Sequence, residues 1–547
     1  MTDPTFPWLT ALVAVPLVGA LVVWALPGDA RRWARHVALG FSLLELLLAG
    51  LALGAFDVAD AGTVQLTEQV SWIPALGVSY ALGVTGIGMS LVLLSVLLVP
   101  LVILAAWREH PDPAEGPGDA VEGGSRIRTY VALILVLEAF MVAVFAARDV
   151  FLFYVLFEAM LIPVYFMIGL FGGAQRRYAA VKFLLYSLVG GLVMLVGVIA
   201  LYLQGPGGED GFLVDTLVGT GMGTWTERLL FLAFFFAFAI KAPMWPLHTW
   251  LPDAAEQAPA GTNVLLVGVL DKVGTFGMIT LCLPLFPAAS QWAAPVIVPL
   301  AVVSVIYGAF LAIGQEDLMR LVAYTSVSHF GFIVLGIFAF TSVGIEGASL
   351  YMLTHGLATG ALFLVAGFLV RRWGTARIAD LGGLRTVVPV LAGSFLVAGL
   401  ATLSLPGTAP FVSELLVFVG TFAAHRAAAV VATIGVVLAA LYVLLTYQRI
   451  FTGRAREELA PHPDLSARER WVVGPLLAAI VALGLFPAPA LDLVREPAAV
   501  AQQAVGVPDA SAADPLAAGV ADDGAEAATE ESTEESAEAS TEDGSDQ

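Results

Sequence analysis

Apolar stretches of about 20 residues follow one another along this chain from Pro7 to about Pro489. Each stretch is long enough to cross a hydrocarbon core about 30 Å thick as a helix that satisfies its own backbone hydrogen bonds. Only 13% of the residues are charged, whereas soluble domains carry about 25%. The sequence therefore predicts an all-α integral membrane protein.

We predict about fourteen transmembrane helices, numbered here as spans 1 to 14. Their bounds are 7–27, 35–56, 80–106, 129–147, 149–171, 177–203, 227–252, 262–285, 292–313, 318–340, 344–370, 386–425, 426–452 and 471–490. Spans 7 and 12 contain proline breaks, at Pro243 and Pro246 and at Pro406 and Pro410. Because proline removes a helical hydrogen bond, we expect both spans to be broken helices.

The arginines are divided unevenly between the two sides of the membrane. On these spans eighteen arginines fall in one set of alternate loops, and only Arg148, Arg228, Arg426 and Arg495 fall on the opposite side. Basic residues are enriched in cytoplasmic loops. The distribution predicts a multi-pass protein of the cell membrane with both termini on the non-cytoplasmic side.

The residue content limits the chemistry that this chain can perform alone. Its single cysteine, Cys282, cannot hold an iron–sulfur cluster, which normally takes four thiolates. No glycine-rich turn follows a strand to bind a nucleotide. We predict no cofactor or metal site in this chain and no binding of nucleic acid. The acidic segment 496–547 is of low complexity and is predicted to be disordered.

All three lysines of the chain, Lys182, Lys241 and Lys272, fall inside predicted spans, whereas the 22 arginines lie at span ends or in loops. Arginine keeps its proton, while a lysine in an apolar interior can release it. This pattern favours proton exchange by the lysines. The alternative is that each lysine only neutralises a buried carboxylate.

Further ionisable residues accompany the lysines inside the spans. The carboxylates are Glu138, Glu158 and Glu414, together with Asp271 and Glu45. His329 and His355 suit proton relay, because the imidazole pKa lies near 6.5, although both could equally be hydrogen-bonded packing residues. Ionisable residues within a membrane usually mark a transport path.

The buried polar residues recur at a nearly constant spacing. Glu158 and His329 are 171 residues apart, and the pairs Lys182 with His355 and Lys241 with Glu414 are each 173 apart. Five spans separate the members of each pair, so the second unit must be inverted relative to the first. We therefore predict two inverted five-helix repeats, spans 4–8 and 9–13, with the broken helices 7 and 12 in equivalent places.

Several blocks of sequence then identify a family. They are RDVFLFYVLFEAMLIPVYFMIGLFGG, AAVKFLLYSLVGG, FAFAIKAPMWPLHTWLPDAAEQAPAGTNVLLVGVLDKVGTFGM, DLMRLVAYTSVSHFGFIVLGI, LTHGLATGALFLVAG and LPGTAPFVSELLVF. Together they resemble the antiporter-like subunits of complex I, the proton-pumping NADH–quinone oxidoreductase, over about residues 80–452. The PLHTWLPDA and SVSHFGF blocks carry most of this likeness.

The resemblance implies a proton relay formed by Glu158, Lys241, Lys272 and Glu414. We expect secondary roles for four further residues: His329, His355, Lys182 and Glu138. The sister chains L and N of complex I typically have lysine where this chain has Glu414. Complex I has three antiporter-like chains, and the resemblance is therefore closer to the third of them than to L or N.

The resemblance also implies a function in a larger assembly. We expect a non-redox subunit of a respiratory translocase, with FMN, iron–sulfur clusters and quinone on partner subunits and with chains L and N as neighbours. The alternatives are a subunit of a multisubunit cation/proton antiporter or membrane-bound hydrogenase, or a scaffold bundle whose charges only pair internally. The expected segments are 1–128 (spans 1–3), 129–285 and 286–452 (the two repeats), 453–495 (the last span) and 496–547 (the tail).

Overall fold

The computed structural model describes residues 6–27, 32–108, 120–454 and 462–513, with the backbone alone for 120–125 and 513. Within these ranges the chain is a bundle of helices. The α-helices are α1 (Trp8–Ala25), α2 (Ala34–Ala55), α3 (Gly86–Ala105), α4 (Ala120–Ala146), α5 (Val150–Ala159), α6 (Leu161–Phe171), α7 (Arg176–Gln204), α8 (Val214–Leu217), α9 (Thr224–Lys241), α10 (Trp250–Gln257), α11 (Ala260–Leu265), α12 (Lys272–Gly277), α13 (Leu283–Leu285), α14 (Pro287–Ile313), α15 (Leu318–Phe338), α16 (Ser342–Trp373), α17 (Pro389–Thr402), α18 (Ala409–Ala424), α19 (Arg426–Phe451), α20 (Ala467–Leu485) and α21 (Ala488–Val505).

Shorter elements connect and interrupt these helices. The 3₁₀ turns are Val58–Asp60, Pro74–Leu76, Ala106–Arg108, Ile378–Asp380, Leu384–Thr386 and Ala510–Ala513, and the π-helical turns are Leu266–Leu270 and Met278–Cys282. The two π turns divide predicted span 8 into α11, α12 and α13. Such wide turns occur often at functional sites, and no pattern in the sequence predicted them.

Eleven helical segments of the described chain are long and apolar enough to cross a membrane, or twelve if α20 and α21 form one bent span. The predicted helical membrane fold is therefore confirmed. The three predicted spans that are not among the eleven are the two broken ones and the last. The count of fourteen and the inverted repeat stay predictions.

Both predicted helix breaks are present. In span 7, α9 ends at Lys241 and α10 begins at Trp250. The indole Nε1–H of Trp250 donates to the carbonyl of Ile240 at 2.9 Å, which satisfies a backbone group near the end of α9. In span 12, α17 ends at Thr402 and α18 begins at Ala409.

Residues 65–84 form an antiparallel hairpin that the sequence analysis did not predict, and its second strand occupies the predicted start of span 3. Strand β1 (Gln65–Ile73) pairs with β2 (Val78–Val84), and Gly77 adopts a left-handed conformation in the turn. The β2 sequence is apolar and runs directly into α3, so span 3 was predicted to begin six residues early, at 80. The hairpin also caps α1, because the Glu68 carboxylate accepts the backbone N–H of Leu9 at 2.7 Å.

The predicted disorder of segment 496–547 is wrong for its first part. Helix α21 continues to Val505 and packs against α16 through an apolar face that includes Val494 and Ala498. Beyond it, Asp509 accepts the backbone N–H of Ser342 at 3.3 Å. Burial alone would raise the pKa of Asp509, but hydrogen bonds from Ser342 and Ser511 outweigh burial and hold it below its ordinary value. Residues 514–547 lie outside the described ranges.

Small residues bring α16 and α18 into backbone contact. A Cβ added to Gly347 would lie 2.6 Å from the backbone nitrogen of Val417 and 2.7 Å from the Cβ of Leu416. Helices in membranes associate closely where glycine permits it. This contact holds α18, which carries Glu414, against α16.

We expect Gly347→Val to force α16 and α18 apart and to destabilise the protein by about 1–3 kcal/mol, because overpacking a tight core costs this much. The measurement is thermal unfolding in detergent. Gly474→Val is the matched control, since nothing lies within 4 Å of a Cβ at Gly474. Equal unfolding temperatures for the two variants would contradict this account of the contact.

Candidate functional site

A chain of buried polar side chains runs through the bundle from α12 to α18. Lys272 Nζ lies 2.7 Å from His355 Nδ1, and the rings of His355 and His329 contact each other with centroids 5.3 Å apart. His329 Nδ1 lies 2.7 Å from the hydroxyl of Tyr351, which donates to Glu414 Oε2 at 2.8 Å. The structure thus brings together four residues predicted from the sequence and adds Tyr351 between them.

Lys272 occupies the first turn of α12 and is completely buried. Its ammonium donates to the carbonyl of Val267 at 2.5 Å, inside the first π turn, and lies 5.1 Å from the ring centre of Phe330. The contacts that hold Lys272 are thus a carbonyl, an imidazole and an aromatic face. They stabilise the cation without a hydrogen-bonded carboxylate, which argues against simple charge neutralisation for this lysine.

The hydrogen bonds around His329 have a defined direction. The single hydroxyl proton of Tyr351 goes to Glu414, so the Nδ1–H of His329 must donate to the Tyr351 oxygen. The Nε2 atom of a neutral His329 then accepts from Tyr442, whose hydroxyl lies 3.3 Å away. If His329 Nδ1 lost its proton and Glu414 gained one, Tyr351 could turn its own proton back toward His329.

Glu414 lies in the second turn of α18, just after the break in span 12, and is 5% exposed. Its Oε2 accepts from both Tyr351 and Ser404. Ser404 is in the break itself and has a left-handed backbone, with φ of 58°. The break therefore supplies a hydroxyl that a continuous helix would not place beside this carboxylate.

Lys241 ends α9 and is completely buried, with no hydrogen-bond partner for its Nζ among the described residues. The ammonium lies 5.2 Å from the ring centre of Phe157 and 5.6 Å from that of Phe183, so aromatic faces are its nearest stabilising surfaces. Glu158, next to Phe157 on α5, interacts with it electrostatically. In the described structure, Lys241 and Glu158 are thus neighbouring charges without a direct hydrogen bond.

Glu158 fits a narrow space between α5 and α7. Its carboxyl group lies against the backbone of α7 at Gly191, where a side chain of any size would collide with Oε1. That Oε1 atom has no hydrogen-bond partner in the part of the chain that the structure describes. A partly buried carboxylate whose Oε1 atom is buried and lacks a hydrogen-bond donor is suited to changing its protonation state.

Lys182 lies outside this chain of side chains. Its Nζ donates to Asp253 at 2.6 Å, and Asp253 also accepts from Arg320 at 2.6 Å. Arg320 bonds Glu256 as well, at 2.7 Å, and the side chains of Lys182 and Asp253 are each 20% exposed. For Lys182, therefore, the structure supports the reading in which a lysine neutralises a carboxylate.

Glu138 also lies apart from this series of buried polar side chains, and its neighbour is Glu45. Both are completely buried, on α4 and α2, and their carboxyl groups interact with each other. None of their four oxygens has a hydrogen-bond partner among the described residues. Two ionised carboxylates buried side by side would repel each other, so we expect the pair to share a proton and, with it, a hydrogen bond.

Sequence reasoning missed Tyr351, Tyr442 and Ser404. Tyr351 precedes His355 by four residues, a spacing that places both on one face of a helix, and this signal was available. Tyr442 and Ser404 contact the series of buried polar side chains from other parts of the sequence, so no local pattern identifies them.

The chain is similar to known proteins over most of its length. Residues 147–440 match the family described as NADH:quinone oxidoreductase/Mrp antiporter. NADH-quinone oxidoreductase subunit M of Mycobacterium tuberculosis is 48% identical, over 89% of this chain and 93% of that one. A chain of respiratory complex I from Thermus thermophilus is 31% identical with a TM-score of 0.81, over 91% and 100%. A chain of the Mrp complex from Dietzia is 22% identical with a TM-score of 0.80, over 91% and 98%, and shows the shared fold alone.

We expect Glu138 to need a hydrogen-bond donor at position 45, so a substitution of Glu45 should be tolerated only if the new side chain can donate. Glu45→Gln keeps a donor for Glu138 and should leave the unfolding temperature nearly unchanged. Glu45→Leu strands the Glu138 carboxyl group and should cost about 1–3 kcal/mol. Thermal unfolding in detergent compares the two variants, and a Glu45→Leu protein as stable as Glu45→Gln would refute the shared hydrogen bond.

Proposed function

This chain belongs to the NADH:quinone oxidoreductase/Mrp antiporter family of membrane subunits, and we propose that it translocates protons through the buried residues described above. The assembly is a respiratory NADH–quinone oxidoreductase, in which the chain takes the place of subunit M. The observation that carries this proposal is the continuous sequence of buried polar contacts from Lys272 to Glu414.

The chain acts as a non-redox subunit. Its one cysteine does not suit an iron–sulfur cluster, so FMN, the clusters and quinone belong to partner subunits. Its membrane neighbours are the sister chains L and N. The arginine distribution supports a location in the cell membrane with both termini on the non-cytoplasmic side.

A cation/proton antiporter or hydrogenase subunit is the second candidate. The likeness to the Mrp complex extends to the fold but not to close sequence identity, at 22%. The relative at 48% identity is a subunit of NADH-quinone oxidoreductase. Sequence identity therefore favours the respiratory complex as the partner that drives transport.

In the first half of the path, Lys241 stores the proton and Glu158 controls it. The negative charge of Glu158 stabilises the protonated form of Lys241, since opposite charges favour the ionised state. When that charge moves away or is neutralised, the buried ammonium beside Phe157 and Phe183 loses part of its electrostatic stabilisation. The proton then leaves Lys241 for the next acceptor.

In the second half, the proton passes from Lys272 Nζ to His355 Nδ1 across 2.7 Å. The two histidine rings are in contact without a direct hydrogen bond, so transfer to His329 needs a water molecule or a rotation of the His355 ring. From His329 the transfer is concerted. Nδ1 gives its proton to the Tyr351 oxygen while the Tyr351 hydroxyl gives its own proton to Glu414.

Lysine and arginine should not be interchangeable at position 241. Lys241→Ala and Lys241→Arg should both lower NADH-driven proton pumping by about tenfold or more in assembled complex, because the guanidinium keeps its proton. Acidification of reconstituted vesicles measures this. Lys182→Arg is the matched control and should pump normally, since arginine can keep the ion pair with Asp253. Normal pumping by the Lys241→Arg complex would overturn the proton-storage role.

The hydroxyl group of Tyr351 should be essential to the second half of the path. Tyr351→Phe removes the atom that joins His329 to Glu414 and should lower proton pumping by about tenfold or more, with assembly intact. Tyr447→Phe is the control, because Tyr447 packs its ring against Phe451 at 5.1 Å on neighbouring α19. Pumping by Tyr351→Phe that matches the control would exclude this tyrosine from the path.

A further inference from the structure

Asp271 is a buried carboxylate that the path described above does not use. It lies between the first π turn and α12 and is completely buried. Neither of its carboxylate oxygens has a hydrogen-bond partner among the described residues. Burying a carboxylate without partners is costly, and ionisable groups retained inside a membrane usually serve transport.

One face of α12 brings Asp271 to Lys241. A Cβ added to Gly274 would lie 2.5 Å from the carbonyl oxygen of Phe238 and 2.8 Å from the backbone nitrogen of Ala242, so α12 touches the last turn of α9. Asp271 is three residues before Gly274 and therefore lies on the same face of the helix. Asp271 and Glu158 both act electrostatically on Lys241.

Lys272 lies on a different face of the same segment, the one that contacts α16. Besides the contact of Lys272 with His355, the Thr275 hydroxyl donates to the sulfur of Met352 at 3.0 Å. Adjacent helical residues point about 100° apart. Asp271 thus faces α9 and Lys272 faces α16, on one short segment that separates the two halves of the path.

The charges that act on Asp271 in the described part of the chain are those of Lys272 and Lys241. Among the described residues neither lysine is hydrogen-bonded to it: the Lys241 ammonium has no partner there, and Lys272 bonds Val267 and His355. A static ion pair would have locked Asp271 to one of them. Instead the carboxylate is shared between two cations and fixed to neither.

We propose that Asp271 carries the proton from Lys241 to Lys272, which rests on the proposed function of the chain. The ammonium of Lys241 gives a proton to the Asp271 carboxylate, leaving a neutral amine and a carboxylic acid. The acid then gives that proton to the neutral amine of Lys272 and becomes a carboxylate again. One proton and one positive charge move from α9 to α12, and no other bond or electron changes place.

The test uses the whole complex reconstituted in vesicles. Asp271→Asn keeps the shape of the side chain but cannot carry a proton, and should lower NADH-driven pumping at least tenfold. Asp271→Glu restores a carboxylate and should recover a third or more of wild-type pumping. Asp271→Ala is the second variant if the asparagine chain does not assemble. Thr280→Val is the control on the same span, because its hydroxyl donates to the carbonyl of Phe276, four residues earlier in that span.

The outcomes separate this inference from the proposed function. Loss of pumping in Asp271→Asn or Asp271→Ala, rescue by Asp271→Glu and normal pumping by Thr280→Val would support it. Wild-type pumping by an assembled Asp271→Asn or Asp271→Ala complex overturns it, as does failure of Asp271→Glu to exceed Asp271→Asn. If Lys241→Ala and Tyr351→Phe abolish pumping while Asp271→Asn does not, the function stands and only the role of Asp271 falls. Normal pumping by Lys241→Ala, Tyr351→Phe and Asp271→Asn would overturn both the proposed function and the role of Asp271.

Discussion

The cost of placing ionisable groups in a hydrocarbon interior determines how this protein is built. Helices are interrupted where several of those groups lie. Lys241 ends α9, Asp271 lies between a π turn and α12, and Glu414 follows the break after α17. At these points side chains and backbone stabilise each other, as the Trp250 indole does for the Ile240 carbonyl and the Val267 carbonyl does for Lys272.

Glycine makes the interruptions useful, because the broken segments must lie very close to one another to bring their charges together. Gly274 allows α12 to touch α9, and Gly347 allows α16 to touch α18. Gly191 gives the Glu158 carboxyl group its place between two helices. Close backbone approach is the usual basis of helix association in lipid, where apolar side chains gain little by meeting each other. In this protein the same contacts determine which ionisable groups are neighbours.

The sequence predicted the parts of the structure whose signals are local. Long apolar stretches indicated the helices, the prolines indicated both breaks, and lysines inside spans pointed to the path. The hairpin at 65–84 was missed because an apolar strand continuous with a helix has no internal boundary. Helix α21 was missed because its alanine-rich face, with Pro497 inside it, resembles a linker until α16 is present to cover it.

The sequence could not predict which buried groups are paired, since pairing depends on contacts between distant helices. Lys182 and Lys241 look alike in sequence, as lysines in apolar spans, and the prolines that follow Lys241 indicate a helix break but not which lysine is paired. Glu138 resembles Glu158 in the same way. Only the packing shows that Glu138 meets Glu45 and that Asp271 lies between two lysines. By contrast, the four-residue spacing of Tyr351 and His355 indicates from sequence alone that they lie on one face of a helix.

The contrast between paired and unpaired groups is what distinguishes support from transport in this bundle. Lys182 with Asp253, and Arg372 with Glu469, are ion pairs with contacts of 2.6 and 2.7 Å. Each pair holds its partners in one protonation state, because removing a proton would strand the opposite charge. In the described structure Lys241 and Asp271 lack such contacts. In the proposed mechanism their charged and neutral states are therefore close enough in free energy for a change in a neighbouring charge to move the proton.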